Sequence, residues 1–266
     1  MTTFGMEFEV EGIRPRIASN LLNEGGIACD YIDSDIHETH DCWKAVHDGS
    51  LNNGAEIVSP ILSPSRLNEA HKVARILKDA GARTSTTAGF HIHLGARAFD
   101  NVTESLPRFV LNYYGVHHAI APLVAPSRTN GNRYCRILGR DEAERQAEYI
   151  ANGNLGAVNG DRYTSLNLDA LERHGTVEVR LHQSTLNGVK AIAWAKLMDA
   201  LLKTANRGID LTMDEALSAW KPFGEWRRAP RSLEHTPILL DTLVNIGTLE
   251  SSIADWLKVR AKVLNK

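Results

Sequence analysis

Three short segments of the chain alternate apolar residues with ionisable ones, and this two-residue period constrains the fold more than any other feature. The segments are residues 4–12 (FGMEFEVEG), 89–95 (GFHIHLG) and 176–182 (TVEVRLH). Successive side chains of a β-strand point to opposite faces, so each segment would separate an apolar face from an ionisable one. A solvated face more usually mixes Thr, Ser, Lys and Gln. We therefore predict three strands that line a site for charged ligands.

The ionisable faces combine carboxylates, imidazoles and a guanidinium. Their members are Glu7, Glu9 and Glu11; His91 and His93; and Glu178, Arg180 and His182. Packed carboxylates repel one another unless cations neutralise them, and hard cations such as Mg²⁺ or Mn²⁺ prefer oxygen ligands. Glu7, Glu9 and Glu178 would form such a cluster with Glu56 if their strands are neighbours. Arg180 is suited to bind a phosphate or carboxylate oxygen, and the whole set favours Mg²⁺-dependent phosphoryl transfer.

The bulk composition sets wider bounds. The chain has 266 residues and a net charge of −2, which gives no indication of a general nucleic-acid or membrane surface. Its three cysteines form no C-x-x-C pair, which favours a reducing compartment. There is no signal-like N-terminal region and no apolar run of membrane-spanning length, so we expect a cytoplasmic location.

The order of elements predicts an α+β fold. Strands are predicted at 4–11, 43–46, 55–58, 82–86, 89–95, 162–168 and 176–182; helices at 15–24, 64–80, 103–121, 141–151 and 191–206; and loops at 30–42 and 126–140. The tail is predicted to be helical, with breaks at 221–222 and 228–231. The economical division is a catalytic domain at 1–207 and a helical C-terminal extension at 208–266, packed on the same domain.

The glycine-rich nucleotide motifs are absent from the sequence. There is no G-x-x-x-x-G-K-[ST] loop, no G-x-G-x-x-G motif and no kinase motif set. An ATP site would therefore have to be built from the side chains of the sheet.

Four groups of residues follow one another in the order and spacing of a known family. They are FGMEFEV at 4–10; WKAVHDGSL with AEIVSP at 43–51 and 55–60; AGFHIHLG at 88–95; and RY, LNL and GTVEVR at 162–163, 166–168 and 175–180. From residue 4 to about residue 205 the chain resembles the amidoligase family, carboxylate–amine ligases related to glutamate–cysteine ligase and glutamine synthetase. Residues 208–266 have no counterpart in this resemblance.

The resemblance implies a curved antiparallel sheet of the glutamine synthetase-like type, with helices on its convex face and ATP and Mg²⁺ on its concave face. By position, Glu7, Glu9, Glu56 and Glu178 match metal ligands; Asp48 matches an acidic residue near them; His91 and His93 are alternatives for a metal or nucleotide contact; Arg180 matches an arginine that contacts phosphate or substrate; and Arg128, in the segment PSR…RYC, is a candidate phosphate clamp. Glu11 lies outside the family pattern and is expected to be solvated.

The activity implied by the resemblance is ATP-dependent formation of an amide or isopeptide bond through an acyl phosphate. Arg180 and Arg128 would stabilise the charge that builds during transfer. The two substrates would be a carboxylate and an amine, and amino acids, peptides, proteins, cell-wall components and nucleic-acid-linked acceptors all remain open. Genes of this family often lie among phage genes.

Other functions compete with this interpretation. The His91 and His93 pair is also typical of metal-dependent hydrolases, although that class expects further histidines and an aspartate on later strands. A non-catalytic relative would be a binding or structural protein, but it has no reason to retain mutually repelling acids. A phosphotransferase built on the same sheet is a third alternative, distinguished by a phosphorylated product in place of free phosphate.

Overall fold

The computed structural model describes residues 1–33, 40–158, 161–211 and 231–265. Within them the fold is mixed α+β, with seven mostly antiparallel strands and ten α-helices. The chain forms two compact units, Met1–Leu94 with His182–Ala195 and Gly95–Leu181 with Lys196–Lys266. The predicted division into 1–207 and 208–266 stays a prediction.

The first unit is built on five strands. They are β1 (Phe4–Glu11), β2 (Cys29–Ile32), β3 (Trp43–Val46), β4 (Gly54–Val58) and β5 (Gly89–Gly95), in the spatial order β2-β3-β4-β1-β5. β1 pairs antiparallel with both β4 and β5, while β2 pairs parallel with β3. The predicted antiparallel sheet is therefore correct for four of these strands, and the β2–β3 pair departs from it.

The apolar face of β1 forms the core of this unit. Met6, Phe8 and Val10 are fully buried. The Phe8 ring lies 4.7 Å from Phe90 of β5 and 6.2 Å from Trp43 of β3, measured between ring centroids. Burying aromatic rings of this size contributes about 1.5–3 kcal/mol each, so this face holds the three strands together while the opposite face carries the acids.

Two helices complete the first unit outside α8. Helix α1 (Pro15–Glu24) starts with proline, whose fixed φ suits the first turn, and α2 (Glu69–Asp79) follows a 3₁₀ turn at Pro64–Arg66. Both helices are succeeded by a glycine with positive φ, Gly26 at 74° and Gly81 at 86°. Such a conformation is readily accessible only to glycine, which explains why both helices end where the sequence predicts.

The second unit is mainly helical. It contains α3 (Val102–Gly115), α4 (His117–Ile120), α5 (Pro126–Thr129), α6 (Arg140–Ala151), β6 (Leu166–Asn167), α7 (Ala170–His174), α9 (His235–Asn245) and α10 (Ser251–Leu264), with 3₁₀ turns at Ala96–Ala98, Ala121–Leu123 and Leu155–Val158. Strand β7 (Thr176–Gln183) and helix α8 (Gly188–Asn206) each contribute residues to both units. No described helix combines the length and the apolar character that crossing a membrane requires.

Several predicted elements are wrong in part. The predicted loop at 30–42 contains strand β2, while its residues 34–39 lie outside the described residues. The predicted strand at 82–86 is a single bridge between Arg83 and Glu11. The predicted strand at 162–168 shortens to β6, and the predicted loop at 126–140 contains α5. The predicted breaks at 221–222 and 228–230 also lie outside the described residues.

The predicted helix at 103–121 divides into α3 and α4. The Asn101 side chain caps α3 by accepting a hydrogen bond from the Thr103 amide at 3.1 Å. Pro107 lies inside α3, beyond the N1 position that proline prefers. The helix ends at Gly115, and Val116 leaves helical geometry with φ −93° and ψ 10° before α4 begins.

Candidate active site

The strand register places the predicted acids and histidines of the first unit on one face. Glu9 is paired with Glu56 of β4, and Glu7 with His91 of β5, while His93 is paired with Gly5. Directly paired residues of antiparallel strands project to the same side of a sheet, with their Cβ atoms about 4.5–5.5 Å apart. Three strands that are distant in sequence thus contribute side chains to one cluster, which we name the acid cluster: Glu7, Glu9, Glu56, His91 and His93.

The carboxylate of Glu7 contacts both histidines. Its Oε2 lies 2.9 Å from His91 Nδ1, and its Oε1 lies 3.1 Å from His93 Nε2. His91 Nε2 in turn lies 3.4 Å from Glu9 Oε1, so the buried His91 ring bridges two carboxylates. Glu9 also accepts a hydrogen bond of 2.5 Å from the Gly89 amide. These contacts hold Glu7 and Glu9 in defined orientations.

The pKa values of Glu7 and Glu56 move in opposite directions. Burial alone would raise the pKa of Glu7, but the His93 charge and hydrogen bonds from His91 and His93 hold it well below its usual range. Burial raises the pKa of Glu56 well above its usual range, and the charges of Glu7, Glu9 and Asp48 raise it further. Without a cation, Glu7 is therefore the ionised member of the pair and Glu56 favours the protonated form.

The acid cluster fits a divalent cation by its donor atoms. One ligand atom each from Glu7, Glu56 and His91 lies within 4.8 Å of the other two. Carboxylate oxygens are the preferred ligands of Mg²⁺ and Mn²⁺, and Mn²⁺ also accepts imidazole. A cation would also remove the repulsion that keeps a proton on Glu56, so both the geometry and the electrostatics suit a metal.

Asp48 is a turn residue near this cluster. Its Oδ1 accepts a hydrogen bond of 2.7 Å from the Ser50 amide, and its carbonyl accepts one of 3.1 Å from the Leu51 amide. Its charge is also among the causes that raise the pKa of Glu56. Asp48 therefore forms the turn and also contributes negative charge near the acid cluster.

Glu178 and Arg180 form a second group, on strand β7 in the second unit. The Arg180 guanidinium donates to Glu178 Oε1 at 2.5 Å through Nη1 and to the Tyr134 carbonyl at 3.3 Å through Nε. The other Glu178 oxygen accepts a hydrogen bond of 2.6 Å from Asn167 Nδ2. Glu178 is buried, and the Arg180 side chain is only 12% exposed. Such a pair differs from a solvated surface ion pair, because both partners are held and largely desolvated.

Arg128 lies in the same unit, bound to the backbone of β7. Its side chain is 1% exposed, and its guanidinium donates to the carbonyls of Arg180, at 2.6 Å, and Leu181, at 3.3 Å. These bonds hold the β7 backbone at Arg180, the residue whose side chain orients Glu178. A phosphate contact by Arg128 stays a prediction.

Sequence reasoning assigned no role to two groups that hold the acids. One is Asn167, which lies in the LNL segment at the point where β6 pairs with β7 opposite Glu178. In the sequence, a polar residue between two leucines could have indicated its role, and both leucines are buried. The other is the Gly89 amide, which only the register between β1 and β5 brings to Glu9.

The chemical roles predicted for these residues stay predictions. The family of the chain, in contrast, is shown by comparison with known proteins. A search of curated proteins finds no match to the chain. A family model described as "Putative amidoligase enzyme" matches residues 1–202, which include every residue of the two groups. Because this match spans well over half of the sequence, the chain belongs to the amidoligase family.

Proposed function

We propose that the protein is an ATP-dependent ligase that joins a carboxylate to an amine through an acyl phosphate. Family membership supports a ligase-type enzyme. The observation that carries the finer proposal is the acid cluster, in which Glu7, Glu56 and His91 offer ligand atoms within 4.8 Å of one another. A partly buried group of mutually repelling acids is costly to a fold unless a cation occupies it.

Glu7, Glu9 and Glu56, together with His91, would hold Mg²⁺ or Mn²⁺ in this proposal. When bound, the ion would neutralise the charge of the ATP phosphates and orient them for transfer. His91 would keep Glu7 and Glu9 in place, because its two ring nitrogens lie 2.9 Å and 3.4 Å from their carboxylates. His93 would orient the second oxygen of Glu7.

Arg180 would stabilise the charge on the transferred phosphoryl group. Its guanidinium is already oriented by Glu178 and by the Tyr134 carbonyl. An oriented cation of low exposure stabilises a developing charge more strongly than a mobile surface cation does, because little reorganisation is needed. Asn167 fixes the other oxygen of Glu178, so it would help to keep the pair in its catalytic orientation.

The reaction would proceed in two steps. An oxygen of the substrate carboxylate attacks the γ-phosphorus of ATP, the bond from phosphorus to the β,γ-bridging oxygen breaks, and ADP leaves. The amine nitrogen then attacks the acyl carbon, the carbon–oxygen bond to phosphate breaks, the nitrogen loses a proton, and inorganic phosphate leaves. The chain need not supply a nucleophile for either step.

The remaining parts of the proposal concern the sheet and the substrates. A curved sheet of the glutamine synthetase-like type, with ATP on its concave face, is proposed from the resemblance of the sequence segments. The acid and the amine are proposed only as chemical classes, with amino acids, peptides, proteins and cell-wall components among the candidates.

A metal-dependent hydrolase is the second candidate, because His91 belongs to the group of possible metal ligands. In that case the imidazole would bind a softer metal such as Zn²⁺ directly. The carboxylates of Glu7 and Glu9 beside His91 are ligands that Mg²⁺ and Mn²⁺ prefer, so they favour the ligase. Metal analysis of the purified protein separates the two, since stoichiometric zinc would favour the hydrolase.

The test is calorimetric titration of the protein with ATP, with and without Mg²⁺, using Glu178→Gln beside the parent chain. We expect binding that requires Mg²⁺ and weakens at least about tenfold in Glu178→Gln. The matched control is Glu144→Gln, because Glu144 also pairs with an arginine, Arg140, at 2.7 Å but on an exposed surface. This control should bind like the parent.

Mg²⁺-dependent binding would justify screening acid and amine pairs for release of inorganic phosphate. A phosphorylated product in place of free phosphate would identify a phosphotransferase. Absence of ATP binding by the folded parent protein at millimolar Mg²⁺ would overturn the nucleotide part of the proposal.

A further inference from the structure

Two residues of the C-terminal part, Arg231 and Asn265, converge on one segment of the second unit. Both lie outside the family match, which ends at residue 202. Arg231 precedes α9 and Asn265 directly follows α10, so they flank this helix pair in sequence, and they meet in space. Both side chains form hydrogen bonds with residues 122–129, which we name the 122–129 segment.

Arg231 makes four hydrogen bonds with neutral acceptors. Its Nη1 donates to Thr129 Oγ1 at 3.0 Å, and its Nη2 donates to the Val124 carbonyl at 3.0 Å. Its Nε and Nη2 donate to Asn265 Oδ1 at 3.2 Å and 2.8 Å. Asn265 also donates to the Pro122 carbonyl at 2.9 Å. The two side chains thus fasten the 122–129 segment at three points.

The character of these bonds indicates a positional role for Arg231. Among the residues that the structure describes, no carboxylate forms an ion pair with it. Burial lowers the pKa of Arg231, which reflects the cost of placing its charge there. A guanidinium offers a rigid, planar set of donors, so it fixes the relative positions of several acceptors at once.

The 122–129 segment also carries Arg128, directly before Thr129. Arg128 donates to the carbonyls of Arg180 and Leu181, as described above. Thr129 is fully buried and donates to the Pro126 carbonyl at 3.3 Å, which closes the short helix α5. Arg231 is therefore connected to the backbone of Arg180 by hydrogen bonds at both ends and by the covalent backbone between Thr129 and Arg128 in α5.

We propose that Arg231 is a positioning residue, through which the C-terminal helix pair holds α5 and Arg128 so that Arg180 keeps its orientation. The importance of Arg180 in catalysis rests on the proposed function. The fastening itself does not depend on it, because every contact in the series lies within the second unit and involves no ligand.

The first test measures hydrogen exchange of Arg231→Gln, which loses the fork of donors. Two amides serve as reporters, that of Arg128, which donates to the Ala125 carbonyl at 3.0 Å, and that of Arg180, which donates to the Ser165 carbonyl at 2.9 Å. We expect exchange at both to rise by about tenfold or more, since local opening becomes easier when the segment is released. Arg231→Lys should restore part of the protection.

Arg207→Gln is the matched control. Arg207 also donates to backbone carbonyls of the C-terminal part, those of Ile246 and Gly247, but it is exposed and its hydrogen bonds do not involve the 122–129 segment. Its substitution should leave the two reporter amides unchanged. Asn265→Ala is a second variant, which removes an acceptor of Arg231 but keeps the guanidinium and the hydrogen bonds within α5, should Arg231→Gln fail to fold.

The second test is the kinetic one. In the proposed ligase, Arg231→Gln should lower kcat by about 10- to 100-fold, because a displacement of about 1 Å at a catalytic group has that effect. The KM for ATP should change much less. Parent-like exchange at both reporters in Arg231→Gln and Asn265→Ala would overturn the positioning role. Raised exchange in a protein that does not bind ATP would instead support the fastening and reject the proposed function.

Discussion

Replacing Glu56 by glutamine should stabilise the metal-free protein above neutral pH. Glu56 is half-buried beside Glu7 and Glu9, and desolvation raises its pKa together with the charges of these two neighbours. Glutamine has nearly the same shape as protonated glutamic acid but cannot ionise. The substitution therefore removes a repulsion that the native residue experiences whenever it loses its proton.

The magnitude follows from the geometry of the cluster. Ligand atoms of Glu7 and Glu56 lie within 4.8 Å of each other. At that separation two unit charges repel by about 3.5 kcal/mol for an effective dielectric constant of about 20. Because Glu56 relieves part of this energy by retaining a proton, we expect a gain of about 2 kcal/mol at pH 8. For a chain of this size that corresponds to a rise in Tm of about 4 °C.

The sign depends on pH in a defined way. The folded-state pKa of Glu56 lies above its unfolded value, so the native residue costs nothing at pH values below both. The cost grows as the pH rises from the unfolded pKa, about 4.3, through the folded one. The gain from Glu56→Gln should therefore stay below about 1 kcal/mol at pH 5 and be larger at pH 8.

The assay is thermal unfolding in EDTA at both pH values, repeated with Mg²⁺. The control is Glu11→Gln, which makes the same chemical change on the same strand but outside the acid cluster. Mg²⁺ should raise the Tm of the parent and of the control more than that of Glu56→Gln. A variant that is no more stable than the parent at pH 8, or that gains equally at pH 5, would refute the reasoning.

Three further predictions concern stability. Burial lowers the pKa of His117 to about 3, so between pH 7 and pH 5 the unfolded state binds a proton that the folded state excludes. Urea denaturation should therefore show that the parent loses about 2 kcal/mol of stability over this range. His117→Phe should flatten this dependence on pH. Gly54→Ala should cost at least about 2 kcal/mol in the same assay, because a Cβ there would lie 2.4 Å from the Val10 carbonyl oxygen, whereas Gly49→Ala, with open space around it, should be nearly neutral. Asn167→Ala should cost about 1.5–3 kcal/mol, because Glu178 loses a charge-assisted hydrogen bond of 2.6 Å, and an unchanged urea midpoint would contradict that role.

Much of the fold could be predicted because local patterns agree with the long-range packing. The alternation in β1, the proline at the start of α1 and the glycines after α1 and α2 each specify an element from its own residues. Prediction failed where pairing with another segment of the chain decides the secondary structure. Strand β2 has only four residues, at the edge of a largely polar stretch of sequence, and its parallel pairing with Trp43–Val46 makes it a strand. The residues around Arg83 have a strand-like pattern, but in the described part of the chain Arg83 forms a single isolated bridge, to Glu11.

The candidate site divides in the same way. The residue types and their faces could be predicted from the two-residue period, but their neighbours depend on register, which the period leaves open. Only the pairing of Glu7 with His91 and of Glu9 with Glu56 brings the acids together. Arg128 illustrates the remaining gap, since a basic loop residue gives no local sign that its guanidinium will be buried against the β7 backbone.

The central position of β1 has a consequence for the order of folding events. Glu7 meets His91 across 84 residues of sequence, and Glu9 meets Glu56 on the opposite neighbour. Contacts of such separation form only after the entropy of closing long loops has been overcome, so they belong to the slow part of folding. We therefore expect Glu56 to reach Glu7 and Glu9 only as the sheet closes. The repulsion between Glu56 and the two acids of β1 would act on that closing step.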